Sequence, residues 1–397
     1  MAFSMSDQVA DDPPVIDVLT PGQQALLKAM PAIADIRLPQ VRDKIPAANY
    51  TDPKRFELEM QSVFRRVPVL AGPSVMLPKT REYLGIDITG MPVLLTRGKE
   101  GQVHAFANVC RHRGMKLCLS HEAVGAPRIV CPYHAWTYDL DGRLVGLPRP
   151  EIFPGLSKQD LGLVKLPCVE AGGLIWVGLD PNVPPDFSKV EGELAADFNA
   201  FNMKNLFRFD KATFKVNANW KLIMDSMLDS YHVTRLHKDS LARFGVDSEN
   251  MIDRIGPHIR NAAHRGNFDR AQITDRHGEM RQMMVFSYIP FPNGIVVVSP
   301  HYISLGVVRP VANDRTEVDY YQLYDRPPRD ERIAGKMRQA FDLMEQVFAK
   351  EDYWAAEMCD QGLRSGTIQE IQLGGMEVQI RMFHDAVEGC LNAAGTR

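Results

Sequence analysis

Two short segments in the first half of the chain each contain one cysteine and one histidine, and this feature constrains the fold most strongly. Cys110 and His112 are separated by one residue, Cys131 and His134 by two, and eighteen residues lie between the pairs. Thiolates and imidazoles can hold zinc or an iron–sulfur cluster. Zinc sites normally pair cysteine with cysteine and histidine with histidine, whereas a [2Fe–2S] cluster can take one of each from two loops. The spacing therefore favours the cluster, with a structural zinc site as the alternative.

The region around these pairs has the pattern of a small all-β unit. Between about residues 66 and 180, short β-type runs such as 92–96 and 102–106 alternate with turn signals. The pair Asp141-Gly142 is flanked by such runs, and both residues tolerate the positive φ of a two-residue hairpin turn. We therefore predict a hairpin at this point.

The remainder of the chain combines helices with strands. A helix is predicted near residues 23–30 and another over 219–243, strand-like runs separated by Pro or Gly occupy 282–325, and a long helix follows residue 328. The long helix carries an apolar stripe at spacings of three and four residues, formed by Ile333, Met337, Phe341, Met344 and Phe348. Strands followed by a long covering helix indicate an α+β domain with an antiparallel sheet.

A second set of metal-ligating residue types lies in the segment 219–237. His232 and His237 are five residues apart, so on a regular helix they would diverge by about 140°. They can share a metal only if the helix ends or distorts between them. Asp229 lies three residues before His232, where its carboxylate can accept a hydrogen bond from the other ring nitrogen of that histidine.

Two histidines and one carboxylate on one face of iron leave three positions open for O₂ and substrate. The carboxylate is expected on the long helix, and chemistry alone does not decide which residue supplies it. The candidates are Asp342, Glu345, Glu351, Asp352 and Glu357.

Both sets of residues resemble one known family, the large (alpha) subunits of Rieske non-haem iron oxygenases. Cys110-Arg-His-Arg-Gly114 and Cys131-Pro-Tyr-His-Ala-Trp136 are similar to its Rieske domain, and residues 219–237 are similar to its iron-binding helix. Rieske proteins of respiratory cytochrome complexes differ, because each loop has an additional cysteine where Met115 and Tyr133 stand here. The resemblance covers roughly residues 46–365.

The resemblance implies a role for each matching residue. The expected ligands of the [2Fe–2S] cluster are Cys110, His112, Cys131 and His134. The expected ligands of a mononuclear Fe(II) are His232, His237 and Asp352. Asp229 matches an aspartate that bridges the two metal sites, and the family pattern of an acidic residue, the ligand and a later glutamate matches Glu351, Asp352 and Glu357.

The fold and domain division implied by the resemblance follow the same boundaries. An all-β Rieske domain is expected over residues 46–180, and a helix-grip-type catalytic domain, with an antiparallel sheet covered by helices, over 181–397. Residues 1–45 are expected to pack on the catalytic domain.

The implied activity is that of a terminal oxygenase that hydroxylates an aromatic or other small apolar substrate, by mono- or cis-dihydroxylation. Oxidative removal of an N- or O-methyl group on the same scaffold is the alternative reaction. The expected pocket consists of Asp225, Ser226, Val233 and apolar side chains of 283–305. An electron carrier without oxygenase activity, or a zinc-stapled binding protein, would be the alternative class.

The composition limits the partners. A net charge of −3 gives no basic field for nucleic acid, and no run is long enough for a membrane span, so a cytoplasmic protein is expected. Gly-x-Gly does not occur in the chain, so no dinucleotide site is predicted. Electrons should therefore come from a separate NAD(P)H-dependent reductase, with or without a ferredoxin. The family resemblance implies a homotrimer, with or without a small beta subunit.

Overall fold

The computed structural model describes residues 18–242 and 250–395. Its described residues form an α+β fold in which every strand pairing is antiparallel, as predicted. No helix among the described residues is both long and apolar enough to cross a membrane.

The cysteine–histidine pairs lie in a region built from three small sheets. The five-stranded sheet has the order Lys165–Leu166, Val103–Ala107, Met91–Arg97, Glu82–Ile88 and Val124–Gly125. The first three-stranded sheet has the order Cys168–Ala171, Leu174–Val177 and Val69–Pro73, and the second has the order Ile129–Val130, Thr137–Tyr138 and Leu144–Gly146. The predicted hairpin turn lies between the last two strands, with φ of 84° at Gly142. This hairpin prediction is confirmed.

A seven-stranded antiparallel sheet is the centre of the second half of the chain. Its order is Phe207–Val216, Arg315–Tyr324, Ile303–Ala312, Gly294–Val298, Met284–Ile289, His258–His264 and Met251–Ile255. A separate two-stranded ribbon joins Asp43–Pro46 to Glu370–Leu373.

Helices surround these sheets. The α-helices are Pro21–Ala29, Ala48–Thr51, Pro53–Glu59, Ser188–Glu191, Glu193–Ala200, Trp220–Leu228, Val233–Leu236, His277–Met283, Glu331–Val347, Tyr353–Arg364 and Val378–Gly395. Two π-helical turns occur at Met60–Phe64 and Phe348–Asp352. Short 3₁₀ turns occur at Ile33–Asp35, Ser74–Met76, Pro150–Ile152, Lys158–Leu161, Met203–Asn205, Arg270–Gln272 and Gly375–Glu377.

Successive side chains along each strand point to opposite faces of the seven-stranded sheet, and both faces are buried. On one face Tyr320 packs against Phe341 of the long helix and Phe348 of the π-helical turn that follows it, with ring centroids 5.4 and 5.0 Å apart. On the other face Leu323 belongs to the same apolar cluster as Trp176. Burying each such large apolar side chain contributes roughly 1.5–3 kcal/mol. The sheet is thereby fixed between the long helix and the strands of the first half.

The helix predicted over 219–243 is interrupted. The structure has a helix over Trp220–Leu228, a bend at 229–232 and a single turn over Val233–Leu236, while residue 243 lies outside the described residues. The prediction of one continuous helix was therefore wrong for this segment. The strands Phe207–Val216 and His258–His264 were not predicted, since their polar and charged residues hide the alternating pattern.

Candidate metal centres

The two cysteine–histidine loops have the same backbone shape. In each loop, the residue four positions after the cysteine donates its N–H to the cysteine carbonyl at 3.0 Å, from Gly114 to Cys110 and from Ala135 to Cys131. Both donors have positive φ, 76° at Gly114 and 57° at Ala135. That conformation suits glycine and is uncommon for alanine, so the second loop is held in shape by its surroundings.

The four predicted cluster residues meet at the tips of these loops. His112 Nδ1 lies 3.1 Å from His134 Nδ1, so both imidazoles direct the same nitrogen to one point. The side chains of Cys110 and Cys131 are buried, whereas His134 is exposed. Two buried thiols and two converging imidazole nitrogens are the donor set of a cluster with cysteines on one iron and histidines on the other.

Aromatic side chains hold the ligand rings in place. His112 stacks on the buried Trp136 with ring centroids 4.9 Å apart, and Tyr133 stacks on His134 at 3.7 Å. The Tyr138 hydroxyl lies 3.4 Å from Cys110 Sγ. Desolvation, followed by the nearby His134 and Arg113, lowers the pKa of His112, which favours the neutral ring that metal binding requires.

The second site brings together three residues that are far apart in sequence. His232 Nε2 lies 3.2 Å from His237 Nε2, and Asp352 Oδ1 lies 3.4 and 3.3 Å from these two nitrogens. Neighbouring ligands of an octahedral ion with bonds of about 2.1 Å lie about 3 Å apart, close to these separations. Asp352 is 1% exposed, and its Oδ1 has no hydrogen-bond partner among the described residues. An unpaired buried carboxylate oxygen beside two imidazoles fits a metal ion at this point.

A bend after Leu228 separates the segment that carries both histidines from the preceding helix. His232 precedes the single turn Val233–Leu236 and His237 follows it, so the two side chains are not related by regular helix geometry. The residues between the two histidines form one helical turn, and this turn ends at His237, as expected if the two side chains are to share a metal.

Each histidine has a carboxylate at its other ring nitrogen. Asp229 Oδ2 lies 3.3 Å from His232 Nδ1, and Glu351 Oε2 lies 2.5 Å from His237 Nδ1. Both carboxylates therefore favour a proton on Nδ1 and leave Nε2 free for a metal. Glu351 thus lies on the far side of His237 from the point of convergence, while Asp352 lies on the near side.

The charges of the triad support one another before a metal is bound. Burial alone would lower the pKa of His232, but Asp229 and Asp352 raise it to about 9. Burial alone would raise the pKa of Asp352, but the neighbouring imidazoles of His232 and His237 lower it. The site therefore holds an ionised carboxylate next to readily protonated imidazoles.

A buried network that the sequence patterns did not reveal fixes the helix before the bend. The Asn219 side chain caps this helix by accepting the Lys221 backbone N–H, and the backbone N–H of Asn219 donates to Asp360 Oδ1 at 3.0 Å. Lys221 Nζ and Trp220 Nε1 both donate to Glu59 Oε2, at 2.6 and 3.0 Å. Because Asp360 lies on the helix that follows Asp352, this network links the elements that carry the triad.

The predicted pocket residues have mixed positions. Asp225 is only 8% exposed and accepts the Tyr50 hydroxyl at 2.6 Å, with His384 Nε2 at 3.2 Å. Ser226 donates to the backbone of its own helix, and Val233 is half-buried. Asp225 is thus already engaged in a buried polar cluster.

Comparison with known proteins now identifies the family. The profile described as "Rieske [2Fe-2S] domain" matches residues 68–158, and that described as "Ring hydroxylating alpha subunit (catalytic domain)" matches residues 203–393. The chain belongs to the Rieske non-haem iron oxygenases. As a member of this family, it has a Rieske [2Fe–2S] domain and a catalytic domain of the type that uses mononuclear iron.

Individual relatives of this Rieske oxygenase are oxygenase subunits. The chain is 37% identical over 197 residues to the glycine betaine monooxygenase oxygenase subunit of Pseudomonas aeruginosa, a match that covers 50% of this chain and 45% of that protein. It is 28% identical over 336 residues to the carnitine monooxygenase oxygenase subunit of Escherichia coli, covering 82% and 86%. The chain thus spans about half the length of the first relative and most of the second.

The fold is also shared with a solved structure of a quaternary ammonium Rieske monooxygenase, described in terms of carnitine oxidation and inter-subunit electron transfer. The TM-score is 0.76 at 21% identity, and the match covers 90% of this chain and 96% of that one. At this identity the likeness concerns the fold alone.

Proposed function

We propose that this chain is the terminal oxygenase of a Rieske system and oxidises a small organic molecule with O₂. The observation that carries the proposal is the convergence of His232 Nε2, His237 Nε2 and Asp352 Oδ1 within 3.4 Å of one another, in a chain that also has a Rieske domain. When bound, the cluster would supply single electrons and the ferrous ion would supply O₂ activation. The buried triad would have no role in an electron carrier, which needs only the Rieske domain.

The proposed roles of the residues follow the contacts. Cys110, His112, Cys131 and His134 would hold the cluster. His232, His237 and Asp352 would hold the iron, because Glu351 already contacts the opposite nitrogen of His237. The proposed domain division remains 46–180 and 181–397, with residues 1–45 packed on the catalytic domain. Thr20 and Gln23 support the last point, through hydrogen bonds to Asp197 at 2.5 Å and Tyr288 at 2.9 Å.

For the substrate, we propose oxidation at a carbon next to the nitrogen of a quaternary ammonium compound, with loss of a methyl or larger group. Support comes from the relatives, whose names specify glycine betaine and carnitine. Hydroxylation of an aromatic ring is the second candidate, because the family also includes ring-hydroxylating subunits. A panel of trimethylammonium and aromatic compounds, incubated with ¹⁸O₂ and analysed by mass spectrometry, distinguishes the two.

The proposed partners are a separate NAD(P)H-dependent reductase, with or without a ferredoxin, and two further copies of this chain in a homotrimer. Exposed side chains that could form such contacts lie next to both proposed metal sites. His134 is exposed, as is Tyr133 at 55%, while Tyr231, between Asp229 and His232, is 63% exposed. A small beta subunit remains an optional partner. None of the six cysteines forms a disulfide, which suits the reducing cytoplasm that we propose for the protein.

Metal analysis tests the proposal directly. An oxygenase should contain three irons and two acid-labile sulfides per chain, with the visible spectrum of a Rieske cluster. Two irons per chain would instead indicate an electron carrier. Zinc without sulfide would contradict both.

A further inference from the structure

His237 is held at both of its ring nitrogens by two consecutive residues of one helix. Glu351 Oε2 lies 2.5 Å from Nδ1, and Asp352 Oδ1 lies 3.3 Å from Nε2. The two carboxylates lie at the end of the π-helical turn Phe348–Asp352, a feature that is often found at functional sites. His232 also has a carboxylate near each ring nitrogen, but these two carboxylates are not consecutive in sequence. The outer one is Asp229, which belongs to the same segment as His232.

Glu351 is itself fixed in position. Ser240, three residues after His237, donates its hydroxyl to the same Oε2 at 2.7 Å. The backbone N–H of Ser240 donates to the His237 carbonyl at 3.0 Å, so the turn that follows the histidine brings the hydroxyl to the carboxylate. One oxygen of Glu351 thus accepts two hydrogen bonds, and its side chain is 25% exposed.

We propose that Glu351 is a positioning residue for the mononuclear iron. It accepts the Nδ1–H of His237, which fixes the tautomer and the plane of the ring, and so directs the Nε2 lone pair to the metal position beside Asp352. Ser240 restrains Glu351 in turn. The inference rests on the proposed function, because it assigns a role toward the iron of that same site.

The contrast between the two histidines indicates where this effect is largest. A carboxylate at 2.5 Å is a strong charge-assisted acceptor, whereas Asp229 lies 3.3 Å from His232. Loss of an outer carboxylate partner typically costs about 10–100-fold in metal affinity. Glu351 should therefore contribute more to iron affinity than Asp229 does.

The test measures Fe(II) affinity of the full chain by competition with a chelator under anaerobic conditions. Glu351→Gln retains an acceptor of the same shape without the charge, and we expect about tenfold weaker iron binding; Glu351→Ala removes the acceptor, and we expect about 100-fold. Ser240→Ala should weaken binding by less than Glu351→Gln. Glu345→Gln is the matched control, since it makes the same change at an exposed position of the preceding helix.

Two further readouts separate positioning from a general structural role. The Rieske absorption spectrum and the melting temperature of the protein that lacks only the mononuclear iron should stay as in the unaltered chain. Saturating Fe(II) should restore occupancy of the mononuclear site in Glu351→Gln. Unaltered iron affinity in Glu351→Ala, or an equal loss in Glu345→Gln, would overturn the inference and leave the proposed oxygenase intact. A wild-type chain without a mononuclear iron would instead contradict the proposed function.

Discussion

The two candidate metal centres of this member of the Rieske oxygenase family are built in opposite ways. The proposed cluster residues come from two loops close together in sequence, and aromatic rings stack on the half-buried His112 and the exposed His134. The triad joins the His232–His237 segment to the distant Asp352, which is 1% exposed, and each histidine has a carboxylate at its outer nitrogen. Local backbone shape organises the first site, whereas long-range packing and charge organise the second.

This difference matches what each centre is proposed to do. A site that exchanges electrons with another protein benefits from ligands at the surface. A site that binds O₂ and substrate needs ligands held rigidly while other positions stay open, which the outer carboxylates favour. The two centres should therefore respond separately to substitution.

The largest effect is expected from removing one ligand of either centre. His232→Ala should lose one iron per chain and all turnover, while the Rieske spectrum is retained, because separate parts of the chain hold the two sites. His134→Ala should lose the Rieske spectrum and keep the mononuclear iron. Iron analysis and absorption spectra check both. Full iron content and activity in His232→Ala would show that the triad is assigned wrongly.

The next largest effect concerns electron transfer from the cluster to the mononuclear iron. Asp229 contacts His232 at the edge of the iron site, and its side chain is 18% exposed. A carboxylate there could link the iron ligand to the exposed His134 of a neighbouring subunit. Asp229→Asn should therefore keep both metals and severely slow reoxidation of the reduced cluster in single-turnover experiments. Reoxidation at the unaltered rate would remove Asp229 from the path.

Mixing the two inactive variants tests whether the path crosses a subunit boundary. In a cyclic trimer with random mixing of His134→Ala and His232→Ala chains, about a quarter of the junctions would join an intact cluster to an intact iron site. Co-expression should then restore roughly that fraction of activity. If mixed trimers form and no activity returns, transfer occurs within one chain.

A moderate effect is expected from pH. The pKa of His232 in the iron-free protein is raised to about 9, above its ordinary value of 6.5. The protonated His232 ring therefore stabilises the folded, iron-free chain fully below about pH 6.5, and this stabilisation disappears as the pH rises through 9. Iron must displace the proton, so Fe(II) affinity should rise about tenfold per pH unit between pH 7 and 8 for each proton displaced. Asp229→Asn should flatten this slope, and an affinity independent of pH would contradict the paired geometry.

The same contrast explains which features could be predicted from sequence. The spacing of Cys110, His112, Cys131 and His134 is a local signal, and the loops bring these residues together. The third iron ligand was ambiguous, because Glu351 and Asp352 are adjacent and only tertiary contacts show which nitrogen of His237 each one approaches. The π-helical turn over Phe348–Asp352 was not predicted, since the apolar stripe continues through Phe348 as in a regular helix.

Ion-pair and hydrogen-bond networks between distant segments also could not be predicted from the sequence. No pattern links Glu59 to Lys221, although they form a fully buried ion pair at 2.6 Å that fixes the helix before the triad. A buried charge requires a partner, but nothing in the sequence marks Lys221 as buried, so neither its burial nor its carboxylate partner could be predicted.

The smallest effect concerns electron delivery at the exposed cluster. Residues 104–150 contain six basic and three acidic side chains, but Lys116 is paired with Asp87 at 2.9 Å and Arg143 with Asp139 at 2.7 Å. The basic residues that remain exposed, without an ion pair to another described residue, are Arg111, Arg113, Arg128 and Arg149.

This arrangement should attract an acidic electron donor, and salt should weaken the attraction because the Debye length falls from about 10 Å at 0.1 M to about 3 Å at 1 M. We expect cluster reduction by the donor, followed by stopped-flow absorbance, to slow by a few-fold over that range. Arg113 lies 5.6 Å from the ring of Tyr133, next to His134, so Arg113→Gln should reduce both the rate and its salt dependence. Arg143→Gln is the control, because its charge is already balanced by Asp139. A rate that does not change with salt would mean that the donor recognises the cluster edge through the exposed Tyr133 and its apolar neighbours rather than through charge.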